Sequence, residues 1–109
     1  REVAELSSQL KNAALETGVP FLVLAQMNRA IEERNGEPRL SDLKESGSIE
    51  QDSDTVSFLH HDPNDKEFLQ YILRKNRHGQ TAKVALNWQK STGRFRSAQE
   101  FQTTEEAPV

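Results

Sequence analysis

Three groups of residues in this chain have side chains suited to handling a phosphate or another anion. The first is Gln26, which closes the uninterrupted apolar run Phe21-Leu22-Val23-Leu24-Ala25. Its neutral amide both donates and accepts, so it can touch a nucleotide phosphate or position a water. The ordinary alternative is that Gln26 only ties down the end of a strand. The second group is Lys44, Glu45 and Gly47, inside the block Ser41-Asp42-Leu43-Lys44-Glu45-Ser46-Gly47-Ser48-Ile49-Glu50-Gln51-Asp52-Ser53-Asp54. Gly47 lets a backbone approach a ligand closely, N–H groups near a helix start suit a phosphate, and Lys44 can neutralise its charge. Ser48 followed by Gln51 also fits a capping box, so a plain helix entry explains the same spacing. The third group is Lys75 and Arg77, two cations at period two beside a turn. Sharing one strand face, they form a prong that can reach phosphates on another subunit. Solvated edge charges that discourage aggregation are the ordinary reading.

These groups need elements to hold them. Val3, Leu6, Leu10, Ala13 and Ala14 recur at intervals of three or four, which predicts an amphipathic helix with Glu2, Glu5, Gln9 and Lys11 outside the stripe. Gly18 suits a left-handed C-terminal cap, and Pro20 prevents the helix from continuing. The run at Phe21 has the pattern of a strand buried on both faces of a parallel sheet. Ligands in such α/β sheets bind beyond the carboxyl ends of the strands, where Gln26 falls. Residues 30–40 are polar and broken by Gly36 and Pro38, which predicts a mobile surface loop. In it Arg34 and Arg39, with Arg29 just before, alternate with Glu32, Glu33 and Glu37. Thr55 to His61 reads as the next strand, followed by a turn at Pro63-Asn64-Asp65. His60, His61 and Asp62 invite a metal, but neighbouring strand residues point to opposite faces and no metal site is expected. Phe68 to Arg77 and Lys83 to Trp88 read as a hairpin turning at Gly79, and Ser91-Thr92-Gly93 turns the chain into Arg94-Phe95-Arg96. Gln99 to Val109 is polar and acidic and is expected to be a disordered tail.

Composition narrows the possibilities. With 109 residues, 34% of them hydrophobic and 28% charged, any core is modest and a partner surface is expected. A net charge of −3 argues against a protein that coats nucleic acid generally, so any DNA contact falls to local basic positions. The absence of cysteine excludes disulfides and thiolate metal sites. No run is long enough to span a bilayer and the opening residues are not a signal peptide, so a soluble cytoplasmic protein is expected.

From about Val3 to Phe95 the chain resembles the second half of the RecA-like motor domain of DnaB-type replicative helicases. The resemblance rests on Val19 to Arg29, on the diagnostic block Ser41 to Asp52, on Lys75-Asn76-Arg77-His78-Gly79 and on Ser91 to Phe95. It implies a partial RecA-like P-loop NTPase core over residues 1–97, with a mostly parallel sheet ending in antiparallel hairpins and a tail over 98–109. It implies that Gln26 couples nucleotide state to the DNA-facing loops, and that Lys44, Glu45 and Gly47 lie on the loop gripping single-stranded DNA. Within that loop, Glu45 would order neighbouring donors rather than touch phosphate. Lys75 and Arg77 would reach the γ-phosphate held by an adjacent subunit, with Arg77 as the arginine finger. Lys44 departs from the arginine common in relatives and loses bidentate phosphate binding. ATP and Mg2+ are the implied cofactors. The implied partners are further copies in a hexameric ring, primase and a helicase loader, and the implied motion is 5′→3′ along one strand. No Gly-x-x-x-x-Gly-Lys-Ser/Thr occurs, so the isolated chain is expected not to hydrolyse ATP. A non-catalytic DNA-binding or ring-capping module and a recombinase-type filament ATPase are the alternatives.

Overall fold

The computed structural model describes residues 2–27, 36–61 and 67–98. Helix α1 spans Glu2–Thr17 and ends as the sequence requires, with Gly18 at φ 72° donating its N–H to the Ala14 carbonyl at 2.9 Å. Val3, Leu10, Ala13 and Ala14 of the expected stripe are half-buried, but Leu6 is exposed, and Ala4, Ser7 and Lys11 widen the packed side. The neighbour that decides this is helix α2, Ser46–Asp52, which meets α1 through polar groups.

A short 3-10 turn, Leu40–Asp42, precedes α2. Asp42 is only 4% exposed, and its buried carboxylate accepts the Arg39 N–H at 2.7 Å, while the Asp42 N–H returns to the Arg39 carbonyl at 2.9 Å. Such pairing meets the requirement that buried polar groups find partners.

Four strands follow, β1 (Thr55–His61), β2 (Phe68–Asn76), β3 (Ala82–Gln89) and β4 (Arg94–Ser97). They form a single sheet in the order β1-β2-β3-β4, antiparallel throughout. The expected mostly parallel sheet is therefore corrected for the described residues. Short turns such as those at Gly79 and Gly93 let consecutive strands pair antiparallel, whereas a parallel pair needs a crossover of roughly a dozen residues or more. The expected strand at Phe21 to Ala25 is also absent, since residues 18–26 adopt no regular structure. Met27 alone bridges Leu43. A strand buried on both faces needs neighbours at both edges and layers on both sides. The meander supplies none of these, and Leu22 and Leu24 stand 94% and 89% exposed.

Phe58, paired with Ile72, faces the α2 side, where these two and Leu43 form the buried core with Leu40, Ile49 and Val56 against it. On the opposite sheet face Leu59, Tyr71 and Val84 are register partners and exposed. Trp88 stacks on Phe95 at 5.9 Å between centroids, His61 meets Trp88 edge-on, and the Lys90 ammonium lies 5.2 Å from the Trp88 ring centre. A bulge leaves Arg74 as the extra residue of β2, because Val56 pairs with Lys75 but Ser57 with Leu73. The freed Arg74 guanidinium donates to the Pro38 carbonyl at 2.8 Å and to Glu37 at 3.3 Å. Lys83 also reaches Glu37, at 2.7 Å. Residues 37 and 38 are thereby pinned to the hairpin.

Candidate functional site

The residues singled out from sequence gather around the two ends of α2. Before its first turn lie Lys44, exposed, and Glu45, whose backbone takes the left-handed conformation at φ 55°. Glycine tolerates that region and other residues adopt it at a cost, so the tight entry is made by Glu45 and not by Gly47. Gly47 sits in the first turn with no heavy atom within 4 Å of where a Cβ would stand, so its surface is open. The helix starts at Ser46 with Glu45 as its N-cap. The capping box expected from Ser48 and Gln51 is corrected accordingly: Ser48 lies inside the helix and its N–H donates to the Glu45 carbonyl at 3.1 Å.

The Glu45 carboxylate turns away from its own helix to the start of α1, accepting the Val3 N–H at 3.3 Å and the Ala4 N–H at 3.2 Å. It thus satisfies two of the four N–H groups a helix leaves orphaned, and its charge faces the positive end of the helix dipole. Two further rungs join α1 to the far end of α2: the Ser7 hydroxyl donates to Asp52 at 2.7 Å, and the Lys11 ammonium to Asp54 at 3.2 Å. Residues 4, 7 and 11 share a helix face, which explains why the polar Ser7 and Lys11 lie on the packed side of α1 beside its apolar residues.

At the C-terminal end of α2 the two cations converge. Lys75 donates to the Glu50 carbonyl, and Arg77 Nη2 donates to the Gln51 and Ser53 carbonyls at 2.6 and 3.2 Å. The last carbonyls of a helix have no acceptor role within it, and cationic side chains suit both their lone pairs and the dipole. Arg77 Nη1 also pairs with Asp54 at 3.3 Å. Arg77 itself belongs to the turn after β2, not to the strand as expected from sequence, and its N–H donates to the Asp54 carbonyl at 2.8 Å. Lys75 and Arg77 are thus brought together by the helix end, not by sharing a strand face. The Lys11 hydrogen bond holds the Asp54 carboxyl below its usual value of 3.8, with Arg77 and His78 adding to the effect. Likewise the Lys83 contact, then Arg74, hold Glu37 below its usual 4.5.

Gln26 is exposed and directly precedes Met27, whose bridge to Leu43 sets this segment beside the Lys44 loop. His60 and His61 are neighbours on β1, paired with Gln70 and Leu69 respectively. Arg29, Arg34, Asp62 and Gln99 to Val109 lie outside the described residues. Sequence reasoning missed Asp54, Lys11, Ser7 and Asp42. The one available signal was the acidic pair Asp52 and Asp54 ahead of a strand, opposite in sign to Lys75 and Arg77.

An α/β unit that sets an exposed lysine and a pair of cations at opposite ends of one short helix is, by its matches, a domain of the DnaB-like helicase type. Residues 1–97 match the model of the DnaB-like helicase C terminal domain, and the chain belongs to that family. It is 44% identical over 106 residues to the replicative DNA helicase DnaB of Mycoplasma genitalium, and 39% identical over 102 residues to the replicative DNA helicase DnaC of Bacillus subtilis. These alignments take in 87% of this chain in both cases, but only 23% and 22% of the two relatives. Among solved structures, an ATPase domain superposes with a TM-score of 0.82 at 35% identity, covering 88% of this chain and 36% of that one. A DnaB-like replicative helicase whose structure was described with its interactions with primase superposes at 0.80 and 36% identity, covering 85% of this chain and 24% of that one. The chain thus spans under a quarter of the length of the two helicases named first. No helix among the described residues is long and apolar enough to cross a membrane.

Proposed function

We propose that this chain is the part of an ATP-driven replicative DNA helicase that carries a DNA-contact loop and the arginine finger acting on a neighbouring subunit. The observation that carries the reading is the arrangement around α2. Lys44 to Gly47 lie at one end, and Lys75 with Arg77 at the other, across seven residues or about 10 Å of helix. A shift of the loop on DNA is then a shift of the finger's seat.

Lys75 and Arg77 offer only N–H donors. That chemistry fits the oxygens of a γ-phosphate and does not fit a magnesium ion, which takes oxygen ligands. Holding Mg2+ therefore falls to other residues, and in this reading, as the resemblance to the family implies, these two cations act on a nucleotide held by another copy. As phosphoryl transfer proceeds, charge spreads over the equatorial phosphate oxygens, and a guanidinium placed there stabilises it. Lys44 supplies a point charge to the backbone of single-stranded DNA, and Gln26, set beside that loop by the Met27–Leu43 bridge, reports the state of the nucleotide. Copies arranged in a closed ring, translocating 5′→3′ and meeting primase and a loader, complete the reading.

The test is Arg77→Ala in the intact protein. DNA-stimulated ATP turnover falls by about 10³-fold or more while nucleotide binding persists. Near-native turnover in that variant removes Arg77 from the role.

A further inference from the structure

One carboxylate oxygen serves two cations. Lys11 Nζ and Arg77 Nη1 both approach Asp54 Oδ1, at 3.2 and 3.3 Å. The other acceptors on Arg77 are carbonyls of the α2 end, at Gln51 and Ser53. Carbonyls fix the guanidinium in place and leave its charge intact, whereas a carboxylate offsets that charge. Asp54 is the only anion paired with Arg77 among the described residues.

Stabilising a phosphoryl-transfer transition state uses the very charge that Asp54 offsets, so carboxylate and phosphate compete for one group. Asp54 is well suited to losing that competition. Its side chain is 59% exposed, and exposed ion pairs are weak. It also has a second partner to keep when Arg77 leaves, because Lys11 holds the same oxygen from α1. And α1 is tied at its start to Glu45, beside the loop assigned to DNA. The contacts therefore run unbroken from that loop through α1 to the finger.

We propose that Asp54 is a positioning residue for Arg77: its carboxylate occupies the guanidinium within the subunit and yields it when a phosphate on a neighbouring subunit presents a stronger anion. The inference rests on the assignment of Arg77 as the finger. Asp54 restrains turnover before the interface closes, and Lys11, by sharing the carboxylate, sets how firmly it restrains.

The experiment compares Asp54→Asn and Lys11→Ala in the intact protein, alone and with Arg77→Ala, measuring ATP turnover with and without single-stranded DNA. Asp54→Asn raises DNA-independent turnover about two- to fivefold, the factor an exposed pair can supply, and leaves the DNA-saturated rate within about twofold. A general loss of folding would lower that turnover and so could not mimic the rise; Lys11→Ala moves DNA-independent turnover the other way, and a rise there overturns the part assigned to Lys11. Unchanged or lowered DNA-independent turnover in Asp54→Asn overturns the proposal, as does a rise that persists in the Arg77→Ala background. The single Arg77→Ala variant tests the finger assignment separately, so a failure of that assignment is distinguishable from a failure of Asp54 alone.

Discussion

Residues 19–27 and residues 55–98 are both rich in strand-forming side chains, yet only the second stretch forms a sheet. The difference lies in where each finds its partners. Every strand of the meander pairs with the next one along the chain, so Ile72 lies between β1 and β3 and is 1% exposed. Phe21 to Ala25 has the stronger apolar run and, among the described residues, no paired edge beyond Met27. Apolar character states that a segment must be covered; it does not state by what.

The contrast can be broken by stability measurements on the 109-residue chain. Ile72→Ala removes a buried side chain from the centre of the core and is expected to cost about 2–5 kcal/mol in denaturant unfolding. Leu22→Asp, at an exposed position, is expected to stay within about 0.5 kcal/mol of the parent. If Leu22→Asp proves as costly as Ile72→Ala, residues 19–27 are packed and the contrast fails.

A smaller effect sharpens it. Glu37 tethers its segment to the hairpin through Lys83 and Arg74, and its carboxyl titrates below the usual 4.5. A depressed carboxyl stabilises the folded state fully above its unfolded value, and that contribution disappears as pH falls through the folded value. Glu37→Gln should therefore lower stability slightly at neutral pH and flatten the loss of stability below about pH 4.5. A pH profile identical to the parent would mean that the tether contributes nothing.

Much of the fold was legible because its signals are local. Gly18 stops α1, Thr55 to His61 is β1, and Gly79 and Gly93 mark the turns, all from patterns within a few residues. What stayed hidden depends on contacts made at a distance. Lys11 reads as lying outside the apolar stripe, and Ser7 carries no signal, until Asp54 and Asp52 are placed opposite them. Glu45 sits about 40 residues from the amides it receives, and no spacing rule links the two. The candidate site was half legible for the same reason. Residue types marked Lys75 and Arg77 as cations for phosphate, but their convergence on the end of α2 and the carboxylate beside them emerge only from the packing.

The neighbour-to-neighbour order of the sheet also has a kinetic side. Strands joined by short turns close small loops, and small loops cost little entropy and form early. The meander can therefore assemble as soon as its own residues are available, without drawing on the run at Phe21. During synthesis a finished sheet then stands beside an exposed apolar stretch, the circumstance in which a nascent chain most needs a chaperone.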